Sequence, residues 1–420
     1  MKAVVLAAAV LLSLALVGAA QAATYHIGAD QQYQTIQGLL EKVAPVDNDV
    51  ILVHPGTYPA FRIETGGGSS PETAPVIRAY DMNDRPVFDA AGASNCCEFQ
   101  AGQGKWYALE GVEIKNATFR GVFNIECGLV LRHCYIHDCH DGFMGGMHNS
   151  SGETPGYLIA EHNEFARNGS GAYAHQLYVQ EYWTIFRGNY IHDNTGGCAY
   201  KDRSRYSLLE CNYIEQGPGA GYTIELCGCD ADAAPSYTQT AVMIGNVVTK
   251  KKGANPWLFV ANIRSEGGAE DHLNTGVLYL INNTFYTEDH TGPMLGTDQG
   301  SVVYADNNIF HSATSKKIVE QVMDATGPGE FGPSHNNWVT NGMETPKEFL
   351  GTISGGDPGC VKVAWQAGDF HLQDGSPCIN AGWQEAAPAA NLEYAHPRGC
   401  TFRVPDGKVD VGAFERGGGS

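Results

Sequence analysis

Short apolar stretches alternate with polar positions along this chain, and many of them end in the same way. An alternating strand runs into Asn, or once Cys, then one further residue, then Ile, Phe or Val. The pattern occupies 129–136 around Cys134, 157–165 around Asn163, 183–191 around Asn189 and 206–214 around Asn212. It returns at 241–248 around Asn246, 276–285 around Asn283 and 301–310 around Asn308. By subtraction the anchors stand 29, 26, 23, 34, 37 and 25 residues apart. Alternation with period two predicts strands with one buried face. Repeats of this length, built of short strands and Gly/Asn turns, cannot bury that face alone and must stack on their neighbours. The chain therefore reads as a solenoid in which each repeat is one coil and every strand pairs in parallel with the coils before and after it. The in-register Asn marks a sharp bend, where its side chain can bond the backbone and the next Asn, and where Asn tolerates left-handed geometry. The uneven spacing puts insertions at 228–239 and 250–255, and solenoids usually place function on one face with its loops.

The two ends complete this picture, because a solenoid needs caps on its open ends. Tyr33, Ile36, Leu39, Leu40 and Val43 fall at helical spacing and predict a short amphipathic helix over the N-terminal end, before a strand and turn at 50–58. Segments 357–359, 369–372, 375–382 and 411–414 read as a short final β module. The expected organisation is a signal peptide at 1–22, a parallel β-helix with its N-terminal cap at 23–345, a C-terminal end or capping segment at 346–416, and a linker-like tail at 417–420.

The first residues change the compartment. Lys2, an apolar run over 3–20 and Ala20-Gln21-Ala22 form a basic start, a short apolar stretch and a small-residue exit, the plan of a secretory signal. Later apolar stretches fall short of the roughly 18 residues that span a bilayer, so a secreted or periplasmic protein without a membrane span is expected. Acidic residues outnumber basic ones, 46 to 26, for a net charge of −20. That balance argues against nucleic acid, which needs a basic footprint. Twelve cysteines in an exported chain suggest disulfides or buried thiols. Cys227 and Cys229 have no second ligand pair at zinc-finger spacing.

Two segments carry a resemblance. Thr35-Ile36-Gln37 followed by Val53-His54-Pro55-Gly56-Thr57-Tyr58 resembles the opening of right-handed parallel β-helix proteins of the pectate-lyase-like superfamily. Asp369-Phe370-His371-Leu372 with Gly375-Ser376-Pro377-Cys378-Ile379-Asn380-Ala381-Gly382 resembles their common C-terminal segment. The resemblance covers nearly all of the mature chain and implies an all-β right-handed parallel β-helix. Lyases, hydrolases, epimerases and non-enzymatic surface proteins share that fold, so it does not decide the reaction.

Three successive coils align as 175–180, 198–203 and 222–227. With Leu177, Tyr200 and Ile224 inward, Tyr178, Lys201 and Glu225 stack in one outward column, and Gln180, Arg203 and Cys227 in the next. Lys201 and Arg203 then place two cations on one exposed face about 7 Å apart, while Asp202 is forced inward. This set suits β-elimination of a uronic-acid polymer. Arg203 can clamp the sugar carboxylate, Lys201 can act as the base, and Tyr178 or His175 as acid or second base. Glu225 can orient Lys201 or bind a cation such as Ca²⁺. Lys-x-Arg after a Gly-Gly turn, with His and Tyr one coil earlier, resembles β-helix polysaccharide lyases.

Gln180, Glu225, Arg205, Trp257 and Arg264 are the expected substrate contacts, and the protein is expected to act as a monomer. The competing reading makes Lys201, Asp202, Arg203 and Glu225 an exposed ion-pair network, and His175 a turn residue. The chain would then be a non-catalytic glycan-binding or surface-structural protein that uses Trp183 and Trp257 as contacts. The paired carboxylates of an inverting hydrolase and the Asp-Pro-His-Asp motif of alginate epimerases are missing, which ranks hydrolase and epimerase below lyase. His133, His137, His140 and His148, with Asp138 and Asp141, leave a cation site open, as do Asp230 and Asp232.

Overall fold

The computed structural model describes residues 22–146, 156–171, 173–217, 221–227, 239–251, 276–288, 292–297, 300–314, 316–321 and 329–417. The signal segment, Trp257, Arg264, His148, Asp230 and Asp232 lie outside these residues, apart from Ala22, the last residue of the expected signal.

Three parallel sheets wind around one apolar interior. Among the described residues the first and second have twelve strands each and the third has seven. A coil contributes one strand to each sheet in turn. Trp183–Arg187 belongs to the first, Tyr190–His192 to the second and Tyr200–Asp202 to the third, before the next coil begins at Tyr206–Glu210. Ile136, Phe165, Ile191, Ile214, Phe285 and Phe310 of the second sheet point inward and are fully buried. They fill the interior as stacked rows, the burial that the alternating pattern demands.

The bend between the first and second sheets carries the Asn anchors. Asn163 donates from its backbone N to Asn189 Oδ1 at 2.9 Å and from Nδ2 to the same oxygen at 3.0 Å. The same double link joins Asn189 to Asn212, Asn212 to Asn246, Asn246 to Asn283, Asn283 to Asn308 and Asn308 to Asn337. Cys134 heads the row, donating its backbone N to Asn163 Oδ1. The left-handed residue of each bend precedes the anchor. His133, His162, Cys211, Asn282, Asn307 and Asn336 have φ between 46° and 59°, and Gly188 and Gly245 complete the set at 62° and 65°. The anchor Asn is therefore selected for its amide group, and its neighbour absorbs the backbone strain.

The one helix among the described residues, Ile36–Leu40, buries Ile36 and Leu39 at the N-terminal end. Thr35 caps it by accepting from Gly38 N at 3.0 Å. At the other end, Ile353–Gly355 is the final strand of the second sheet. The chain then doubles back along the outer side of that sheet. Cys360–Lys362 pairs antiparallel with Asp369–Leu372, and Leu392–Tyr394 with Cys400–Phe402. Phe370, Leu372, Tyr394, Val411 and Phe414 of this segment pack on Tyr213, Val247, Ile309 and Trp338 of the coils. A disulfide between Cys211 and Cys400 fixes it there. Nine other described cysteines are buried thiols, including the vicinal Cys96 and Cys97. Burial pushes the Cys127 and Cys134 thiols up to about 11, so they behave as apolar filling. No helix among the described residues is long and apolar enough to cross a membrane.

Candidate active site

The third sheet carries the candidate chemistry. Tyr178 pairs with Lys201 and Lys201 with Glu225, while Leu177, Tyr200 and Ile224 form the adjacent inward row. This is the alignment read from the sequence. Asp202 does point inward, and the structure shows how it is tolerated. It accepts from Tyr200 OH at 2.8 Å, Ser204 N at 2.7 Å and Ser207 Oγ at 2.7 Å. Burial raises its carboxyl above the ordinary range, so three donors offset a desolvation cost that a lone carboxylate could not bear.

The outward groups converge on Tyr178. Arg203 Nε donates to the Tyr178 hydroxyl at 2.9 Å, and its guanidinium carbon lies 5.6 Å from the ring centre. Lys201 Nζ lies 5.4 Å from the same ring and 3.3 Å from Glu225 Oε2. Cys198 Sγ donates to that Glu225 oxygen at 3.3 Å. His175 Nδ1 accepts from Cys198 N at 2.9 Å, and His175 N donates to Asp141 Oδ1 at 2.7 Å. A backbone N–H only donates, so Nδ1 must hold its lone pair and the ring proton sits on Nε2. The His175 and Tyr178 rings meet edge-on at 5.4 Å.

The turn before Lys201 depends on glycine. Gly197 has φ +56°, and a Cβ there would lie 1.7 Å from Ala174 O and 2.9 Å from His175 Nδ1. Only a residue without a side chain lets these two coils approach so closely.

Burial corrects the picture of an exposed charged face. Arg203 is 1% exposed, Glu225 2%, and Lys201 and His175 6% each, and Gln180 is also buried. The half-buried Tyr178 is the member of the set that reaches solvent most. The exposed ion-pair reading of these charges therefore fails, because low local dielectric makes each of these charge contacts stronger than at a surface. Arg205 is also displaced from the expected set. It stands at the corner between the third and first sheets, over the rings of Tyr182 and Tyr206 at 5.7 and 5.5 Å. There it borders an aromatic stripe on the outer side of the first sheet. Trp106 stacks on Tyr157 at 5.5 Å, and Tyr157 meets Trp183 at 5.1 Å.

Four neighbours escaped sequence reasoning. Cys198 links His175 to Glu225. Phe123 and Met144 continue the Tyr178 column over two earlier coils. Arg120 lies over Phe123 at 3.9 Å and donates to Met144 Sδ at 2.9 Å, adding another cation to this region. Extending the three-coil alignment backwards would have found the column, but the missing Lys or Arg at 123 and 144 gave no reason to extend it. The histidines near Cys134 spread out: His133 stacks on His162, His137 bonds Asp138 and Glu113, and His140 bonds Asp141. Among the described residues no three metal-ligating side chains converge.

No protein-family model matches the chain, and no curated protein matches it in sequence. Solved structures do. Pectate lyase Pel9A superposes with a TM-score of 0.57 at 16% identity, over 94% of this chain and 96% of that one. A GH136 lacto-N-biosidase from Eubacterium ramulus gives 0.41 at 12% identity, over 79% and 65%. An alginate lyase from Paenibacillus sp. str. FPU-7 gives 0.38 at 12%, over 71% and 95%. The last two fall below the level at which a likeness carries weight. The first establishes the architecture: the chain is a right-handed parallel β-helix that resembles a polysaccharide lyase in fold.

Proposed function

We propose that this protein is an exported polysaccharide lyase that cleaves a uronic-acid-containing polymer by β-elimination. The observation that carries this reading is the in-register meeting of Lys201, Arg203 and Tyr178 on one face, with Glu225 behind Lys201. Substrate entry must uncover the buried Arg203 guanidinium, against which the sugar carboxylate docks, making the C5 proton acidic. Lys201 removes that proton. It must do so as the neutral amine, a form that the adjacent Arg203 cation favours, while Glu225, 3.3 Å from Nζ, orients it. Electrons from the C5–H bond form the C4–C5 double bond, and the C4–O bond breaks. Tyr178 gives its proton to the departing oxygen, and the Arg203 N–H bond holds the phenolate that remains. His175, with Nδ1 tied to Cys198 N, positions the Tyr178 ring.

Purified protein offered alginate, pectate, glucuronan, hyaluronan and chondroitin, with and without Ca²⁺, should generate the ultraviolet absorbance of an unsaturated uronate on one of them. Dependence on Ca²⁺ would assign the carboxylate to a metal instead of Arg203. Lys201→Ala should abolish turnover and leave binding nearly intact. A Lys201→Ala protein with full activity removes this mechanism. The half-buried rings of Tyr157 and Trp183 favour a second reading, a non-catalytic glycan binder, since such rings stack on sugars. Saturable binding without any unsaturated product, from folded protein, would select it.

A further inference from the structure

A second site lies away from the third sheet, where the C-terminal segment covers the outer side of the second. Between them is a cavity of about 280 Å³. Tyr190 and Tyr213 line it from the coils, and Phe370, Tyr394 and Phe414 from the C-terminal segment, with the exposed His371 and His396 at its edge. Glu215 also lines it, and is completely buried. Its Oε1 accepts from Ala367 N at 2.7 Å and from Tyr190 OH at 3.3 Å. Its Oε2 is buried and has no hydrogen-bond partner. The other tyrosine hydroxyls are turned elsewhere, Tyr213 to Gly368 O and Tyr394 to Pro397 O. No Lys or Arg lines the cavity.

A buried carboxylate oxygen with no donor is expensive, and native structures retain such atoms where something else supplies the partner. Aromatic faces attract cations, and a carboxylate among them supplies both counter-charge and acceptor. We propose that this cavity binds the ammonium group of an organic amine, whose N–H donates to Glu215 Oε2 while its carbons lie against Tyr190, Tyr213, Phe370 and Phe414. A neutral alcohol of the same shape would fill the space without matching the charge. Carboxylates outnumber cations around the site, where Lys362 Nζ donates to Ala367 O. Asp193 and Asp369 flank the site, His192 is held between Glu164 and Asp193, and His371 bonds Asp369. Burial pushes the Glu215 carboxyl up to about 7, so a bound ammonium ion should displace a proton near neutral pH.

The test is calorimetric titration of the full chain with n-butylammonium chloride and with 1-butanol, at pH 7 in two buffers of different ionisation heat. The expected result is saturable one-site binding of the amine with proton release, and binding of the alcohol weaker by about tenfold or more. Glu215→Gln should remove amine binding. Phe370→Leu, which keeps Glu215 and its anchors, should weaken it several-fold, so a folding defect in the first variant leaves the question decidable. The proposal is overturned if the wild-type chain does not bind the amine saturably, or if it binds the alcohol equally well. Undiminished amine binding by a folded Glu215→Gln protein overturns it too.

Discussion

Asn212 offers the sharpest test of what holds the coils in register. Its side chain takes part in four hydrogen bonds. Nδ2 donates to Phe186 O at 2.8 Å and to Asn246 Oδ1 at 2.9 Å, and Oδ1 accepts from Asn189 N at 2.9 Å and Asn189 Nδ2 at 3.1 Å. All the participating side chains are fully buried. Asn212→Ala deletes all four and leaves a backbone N–H, a backbone carbonyl and two side-chain amides short of a partner. At about 1 kcal/mol for each bond, the expected loss is about 4 kcal/mol, more if no water enters the gap. Asn212→Asp keeps the acceptor but loses both donors and buries a charge, so it should be no better tolerated. Equilibrium urea denaturation followed by circular dichroism reads the loss as a lower midpoint, valid where the slope is unchanged. As a control, Asn83→Ala removes an exposed side chain from a turn and should change the unfolding free energy by less than about 0.5 kcal/mol. If Asn212→Ala costs no more than the control, the asparagine row does not stabilise the fold and the reasoning is wrong.

Other outcomes follow from the same geometry. Glu181 is buried with Oε2 unpartnered, and burial pushes its carboxyl from the ordinary 4.5 up to about 8. Between these values the folded chain holds a proton that the unfolded chain has released. Stability from this group should therefore be full below about pH 4.5 and fall as pH rises to about 8. Glu181→Gln should flatten that part of a urea-midpoint profile, and an unchanged slope would contradict the assignment. Gly197→Ala should cut turnover more than stability, because its Cβ would displace His175 and the turn before Lys201. Equal kinetics in the variant would show that this turn does not set the site. Replacing Cys211 and Cys400 by Ala should cost about 2–4 kcal/mol and free the C-terminal segment for proteolysis. An unchanged digestion pattern would argue against the clasp.

The sequence made the coils legible because a bend that must bury an amide tolerates few residues, and Asn189 or Asn246 announces it. It also placed Tyr178, Lys201 and Glu225 in one column, since side chains alternate strictly along a strand and coils pair residue for residue. Even the misfit of Asp202 was visible, although its three donors were not, because Ser207 belongs to the next strand. Burial of Lys201 and Arg203 was not legible: it depends on what lies over a strand, and period-two patterning describes only the sheet itself. The return of residues 360–414 along the second sheet was hidden for a related reason. Tyr213 and Trp338 read as ordinary outward residues until a partner more than a coil away covers them. The pairing of Cys211 with Cys400 depends on that return, and spacing alone could not select it from twelve cysteines.

That return also changes how the molecule should come apart. Coils that touch only their nearest neighbours behave as a one-dimensional stack, able to fray from either end. The C-terminal segment adds links that skip many coils: Thr284 to Ala413 across 129 residues, Tyr213 to Gly368 across 155 and Cys211 to Cys400 across 189. Coils between Glu164 and Asn336 are thereby bound into a closed circuit and must open together. The coils nearest the N-terminus lie outside it and can peel away singly. Amide exchange should accordingly divide the solenoid in two, graded in the N-terminal coils and concerted beyond them. The catalytic candidates sit inside the concerted half, where local opening is rarest.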